Sequence, residues 1–197
     1  MPKSFSPQQR DQILKMLLAN GKELFSRFGL QKTTVEEIAR KCGISKGAFY
    51  LFFNSKEELF FEIIEKEEVT MKNSLLKSFP TNPSPEDLTK VLSNAFSFAS
   101  KNPVIMQAFN PHQFQLLIGK LPPEQIASHI NKDNDFANAL INALHIPDGS
   151  KEVEIVSGLL RSLFLVYLHK DEMGITDETF KRLTGIVADA IVNEKRQ

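Results

Sequence analysis

Residues Thr33 to Phe53 read TTVEEIARKCGISKGAFYLFF. This run spells two short helices joined by a tight turn. Thr34 stands where a hydroxyl caps a helix, and Glu37, three residues on, completes the spacing of a capping box. Val35, Ile38 and Ala39 then form one apolar face at i, i+3 and i+4. Gly43 follows Cys42 where the chain must turn, and glycine accepts the positive φ that such a stop favours. Ile44 points inward, and Ser45 caps a second short helix expected to run through Phe53. This is the helix-turn-helix layout, whose second helix enters the major groove of DNA.

The longer run T-T-V-x-x-I-A-x-x-C-G-I-S-K-G-A-F-Y-x-x-F-x-S-K-E-E-L, Thr33 to Leu59, resembles the DNA-binding domain of the TetR family of transcriptional regulators. The turn glycine, the Ser-Lys-Gly opening, Tyr50, Phe53 and the Ser55-Lys56 start of a further helix make the match specific. The resemblance implies a set of DNA contacts at Thr33, Thr34, Ser45, Lys46, Gly47, Ala48, Tyr50 and Lys56. Thr33 and Thr34 would meet the backbone, with the Thr34 amide and hydroxyl on a phosphate. Lys46 would reach a guanine edge or a phosphate, and Gly47 and Ala48 would allow close approach. Tyr50 and Lys56 would each hold a phosphate; the alternative for Tyr50 is an ordinary core aromatic. Phe52 stands where many members carry a polar aromatic, so one phosphate contact is expected to be missing. Phe49 and Phe53 are assigned to packing.

Charge supports a DNA-binding head. Residues 1–56 hold ten Lys and Arg against four Asp and Glu, although the whole chain balances 24 against 24. A basic third can neutralise phosphates while the acidic remainder stays clear of the duplex. Charged faces are usually no more than solvated, so the split decides only together with the motif.

The rest of the 197 residues reads as helix after helix. Ser6-Pro7-Gln8-Gln9 opens a first helix that runs to about Phe28 and stops at Gly29. A fourth helix starts at Ser55, with Glu58 completing a capping box, and continues to about Leu76. It links the basic head to the acidic body. Prolines between Phe79 and Pro85 make a loop. Ser84-Pro85-Glu86-Asp87 opens a fifth helix, and Asn102-Pro103 a sixth that ends near Phe109. After a break at Asn110-Pro111-His112, Phe114 to Leu121 makes a short piece. Pro122-Pro123 begins a helix to about Leu144, with a break or kink expected at Asn131–Asp135. Ile146-Pro147-Asp148-Gly149 is a turn, and two last helices span Lys151–Lys170 and Thr176–Asn193. No stretch alternates like a strand, so the expected fold class is all-α with about nine or ten helices. Residues 1–56 form a three-helix DNA-binding domain, with the helix-turn-helix at 33–52. Residues 57–197 form a helical regulatory and dimerisation domain.

By the same resemblance the last two helices pair with a second copy, giving a homodimer for a palindromic duplex operator. Ser157, Gly158 and Ser162 suit close helix packing there, although closing the monomer core is the simpler use of such helices. Phe96, Met106, Phe109, Phe114, Phe136, Arg161 and Tyr167 are the candidates for an apolar small-molecule effector site. Plain core is the alternative for each phenylalanine, and pairing across a dimer for Arg161. The implied function is a DNA-binding transcriptional regulator, a repressor released by that effector. The alternative is a DNA-binding dimer without a small ligand, constitutive or controlled by a protein.

Other chemistry finds no residues to rest on. His112, His129, His145 and His169 show no metal-ligand spacing, and there is no nucleophile elbow or phosphate loop. No enzyme activity, metal or cofactor is expected. The single cysteine, Cys42, reads as a small packed hydrophobe and suits a reducing cytoplasm. No apolar run reaches the length of a membrane span, and MPKSFSPQQR has no signal-peptide core.

Overall fold

A computed structural model describes residues 5–108, 115, 117–145 and 150–193. Among these residues there are nine helices and no strand. They are α1 (Pro7–Lys32), α2 (Val35–Lys41), α3 (Lys46–Phe49), α4 (Lys56–Lys77), α5 (Pro85–Ser100), α6 (Pro103–Ala108), α7 (Pro123–Ala143), α8 (Ser150–His169) and α9 (Asp177–Asn193). Phe109, Phe114, the break at Asn110-Pro111-His112 and the turn at Ile146–Gly149 lie outside the described residues.

The chain divides into two compact units. The first unit takes residues 1–68 and 102–122, and the second takes 69–101 and 123–197. The first unit therefore keeps the N-terminal half of α4 and takes in α6.

Within the first unit, α1 packs against α2 and α6, and α2 against α3. Its core is made by Leu17 and Phe25 of α1, Ile38 of α2, Phe49 of α3, Leu59 and Phe60 of α4, and Ile105 of α6. Phe25 and Phe60 meet edge to face at 5.0 Å. Gly21 lets α1 and α4 approach closely: a Cβ there would lie 3.0 Å from Leu59 Cδ2 and 3.1 Å from Ile63 Cδ1. Fully burying a side chain of this size stabilises by about 1.5–3 kcal/mol, so a few such residues hold the small unit together.

The second unit is built on a larger apolar cluster. Leu88, Leu92 and Phe96 of α5, Leu140 and Ile141 of α7, Val156 and Leu163 of α8, and Phe180, Ala188 and Ile191 of α9 form it. Phe96 is its centre, stacked on Tyr167 at 4.9 Å and meeting Phe180 edge to face at 5.0 Å.

Helix ends follow local capping. Ser6 with Gln9, Thr34 with Glu37, and Ser84 with Asp87 each form a reciprocal capping box. At α4 the exchange is offset: Glu58 N–H donates to Ser55 Oγ, but the Glu58 carboxylate accepts from the Asn54 amide. Gly29, at φ 80°, breaks the end of α1 where the sequence places a stop.

Two expectations are corrected. α3 does not run as helix through Phe53; it ends at Phe49 and continues as turns, with Leu51 N–H bonded to Ala48 and Phe52 N–H to Phe49. The burial of Phe49 and Phe53 against the unit fixes the backbone more strongly than local propensity extends the helix. α7 does not break at Asn131–Asp135. It runs through because Asp133 is paired with Lys72 of α4 at 2.5 Å, and Ala137, Leu140 and Ile141 are buried beyond it.

Candidate nucleic-acid interface

The capping box of α2 fixes Thr34. Its hydroxyl oxygen accepts from the Glu37 amide at 3.2 Å and donates to Glu37 Oε2 at 2.8 Å, while its own amide donates to the same carboxylate at 2.9 Å. These bonds hold the Glu37 carboxyl below its usual range, the amide bond contributing most. Gly43, at φ 67° and with open space around a notional Cβ, makes the turn. Ser45 then caps α3 through the Ala48 amide at 3.1 Å.

This geometry brings Thr34, Ser45, Lys46, Gly47 and Tyr50 to the surface of the first unit, with Ala48 half-buried beside them. Tyr50 is 47% exposed and stands edge-on to Phe49 at 5.5 Å, so it is not a core aromatic. Lys46 pairs with Glu36 of α2. Each raises the other's preference for charge: the hydrogen bond lowers the Glu36 carboxyl and raises the Lys46 ammonium.

Two expected contacts have other partners. Thr33 is 1% exposed, and its hydroxyl donates to the Gly29 carbonyl at 2.8 Å. Its side chain is a latch on the broken end of α1. Lys56 donates to the carbonyls of Leu30 at 2.7 Å, Gln31 at 3.2 Å and Thr33 at 2.8 Å.

Two residues of this face have no local sequence signal. Glu36 pairs across the turn with a lysine ten positions away. Arg10 donates to the Leu51 carbonyl at 3.2 Å and lies 4.9 Å over the Phe52 ring, which also meets Phe5 at 6.1 Å. The aromatic departure at Phe52 is thus used for packing beneath Arg10. Cys42 is buried, accepts from Asn20 at 3.4 Å, and has its thiol pushed up by burial.

The described effector candidates fall in both units. Phe96 and Tyr167 stack in the core of the second unit. Phe136 lies under Lys72 at 5.7 Å in the same unit. Met106 belongs to α6 in the first unit. Arg161 is exposed in the chain and is not a buried charge in need of a partner. Phe109 and Phe114 lie outside the described residues. No described helix is long and apolar enough to cross a membrane.

Residues 17–63 match a family model described as bacterial regulatory proteins, tetR family. The protein named Nucleoid occlusion factor SlmA from Glaesserella parasuis is 30% identical over 57% of this chain and 54% of its own length. The chain thus spans about half the length of this relative. A TetR transcriptional regulator from Rhodococcus sp. RHA1 shares the fold, with a TM-score of 0.68, 18% identity and cover of 93% and 97% of the two chains. A tetR-family regulator from Streptomyces coelicolor gives 0.65 at 17% identity, over 92% and 79%.

Proposed function

We propose that the chain is a DNA-binding regulator of the tetR family that acts as a homodimer on a palindromic operator, repressing by occupancy. The observation that carries this is the exposed face of Thr34, Ser45, Lys46, Gly47 and Tyr50, with Ala48 half-buried beside them, on a motif whose turn and caps are all formed. Lys46 and Tyr50 supply the charge and the hydroxyl, and Gly47 and Ala48 let the backbone come close to base edges. Few long polar side chains face outward, so shape readout and phosphate contacts carry much of the affinity.

The two-fold partner is a second copy of the chain. α8 and α9 leave Ile155, Leu165 and Ile186 at 47%, 56% and 57% exposure. Ile155 and Leu165, ten positions apart with Gly158 and Ser162 between them, share one helical face. An isologous contact between such faces would close a dimer and match a two-fold site.

Release by a small apolar molecule is the regulatory step proposed for the second unit, with Tyr167 and Phe136 offering a hydroxyl and an aromatic face. A second reading, a dimer with no small ligand, is favoured by two observations. Phe96 is closed in by stacked rings, and the Glaesserella parasuis relative is named for nucleoid occlusion. A thermal-shift screen with fatty acids, aromatic acids and lipophilic cations separates them. A melting shift together with loss of DNA binding supports release; no shift across the panel supports the ligand-free dimer.

The interface itself is tested by selecting binding sites from a random duplex pool at two salt concentrations. A recovered palindrome supports a dimeric, specific regulator. Recovery of no common sequence, with binding that only weakens with salt, would overturn the operator reading.

A further inference from the structure

We propose that Lys56 is a positioning residue that fixes Thr34 at the start of α2, and is not itself a contact to the duplex. This inference rests on the DNA-binding face described above. Gly29 breaks α1 before its last turn, at φ 80° and ψ 166°, and the final carbonyls of a helix have no partners within it. The Gly29 carbonyl is taken by the Thr33 amide at 3.2 Å and the Thr33 hydroxyl at 2.8 Å. The carbonyls of Leu30, Gln31 and Thr33 are taken by one group, the Lys56 ammonium, at 2.7, 3.2 and 2.8 Å.

An ammonium has three protons to donate, and these three acceptors use them all. Lys56 is also the first residue of α4, where the helix dipole disfavours a cation. The carbonyl cluster at the end of α1 makes that placement favourable. A phosphate could take the ammonium only by displacing a carbonyl that has no other hydrogen-bond partner among the described residues.

The third bond gives the lysine its role in recognition. The Thr33 carbonyl and the Thr34 amide are the two ends of one peptide group, which is planar and trans. Holding the carbonyl therefore fixes the direction of the amide. That amide donates to the Glu37 carboxylate at 2.9 Å, so the peptide is held from both ends and Thr34 is placed at the start of α2, on the face proposed to meet the DNA backbone. Lys56 thus sets the position of Thr34 from a site 22 residues along the chain.

The test uses the full chain as wild type, Lys56→Met, Lys56→Arg and Lys46→Ala. Melting temperature is measured for each, and binding to the selected palindrome is measured against salt well below every melting point. The staple predicts that Lys56→Met lowers Tm by roughly 5 °C. It also predicts about tenfold weaker binding by the folded protein with an unchanged salt slope. Arginine, whose planar fork does not converge on three carbonyls, should fail to restore binding. Lys46→Ala should lower the slope. The proposal is overturned if Lys56→Met lowers the slope by about 1.8 per dimer, as two lost phosphate contacts would, or if arginine restores binding fully. It is also overturned if folded Lys56→Met binds like wild type. Should wild type bind no duplex at all, the DNA-binding reading fails, while the Tm difference still reports on the staple.

Discussion

Glu36 of α2 and Lys46 of α3 form an ion pair across the turn, on the face proposed to meet DNA. The carboxylate therefore competes with a phosphate for the one lysine that opens the second helix of the motif. Glu36→Gln should strengthen duplex binding about three- to tenfold and steepen its salt dependence, because the lysine is no longer held. An electrophoretic or anisotropy titration at several salt concentrations checks this. Weaker binding by the variant would mean that Glu36 aims Lys46 at its target.

The pH response of the Thr34–Glu37 cap has a definite sign. Glu37 is held below its ordinary value of 4.5 in the folded chain, first by the Thr34 amide. Its contribution to stability is present above that ordinary value and is lost as the pH falls through the lower folded value. Between pH 6 and 8 the contribution of the cap to Tm should not change with pH. Thr34→Ala should cost about 1 kcal/mol in the neutral range, with a smaller cost once Glu37 is protonated. Thermal melts at pH 7 and along a series of falling pH follow both costs.

Gly43 is needed for its backbone and not for space. It sits at φ 67°, and nothing lies within 4 Å of a notional Cβ. Gly43→Ala should destabilise by about 1–2 kcal/mol, and Gly43→Asn by less, since asparagine visits this region more readily. Chemical denaturation of the three proteins tests the order. A stabilised alanine variant would contradict the account of the turn.

Much of this could be read from the sequence, and what could be read was local. The boxes Ser6–Gln9, Thr34–Glu37 and Ser84–Asp87 join residues three apart, so spacing alone reveals them. Gly29 and Gly43 were visible as stops because few residues other than glycine take such φ values. What could not be read depends on partners far along the chain. Lys56 and the Leu30 carbonyl are 26 positions apart, and Lys72 and Asp133 are 61 apart. Those pairings decide that Lys56 is occupied and that α7 runs unbroken. Unit membership is likewise illegible locally: Met106 belongs to the first unit and Phe96 to the second.

The exposed stripe on α8 and α9 carries the dimer proposal. Leu165→Glu and Ile186→Glu together should convert the protein to a monomer in sedimentation equilibrium, with helix content unchanged. Burying two unpaired carboxylates in an apolar contact is strongly unfavourable. DNA affinity should fall in parallel, because one head reaches only one half-site. A double variant that stays dimeric would place the contact elsewhere.

The most direct test of the central claim compares the wild-type chain with a Lys46→Ala, Tyr50→Ala double variant on the selected palindrome. Both residues are exposed, so the variant should fold and melt like the wild type. The account predicts two chains per duplex for the wild type and at least about a hundredfold weaker binding for the variant, with a shallower salt slope. Undiminished binding by the double variant would contradict it, since the face built by α2, the turn and α3 would then not be what touches DNA.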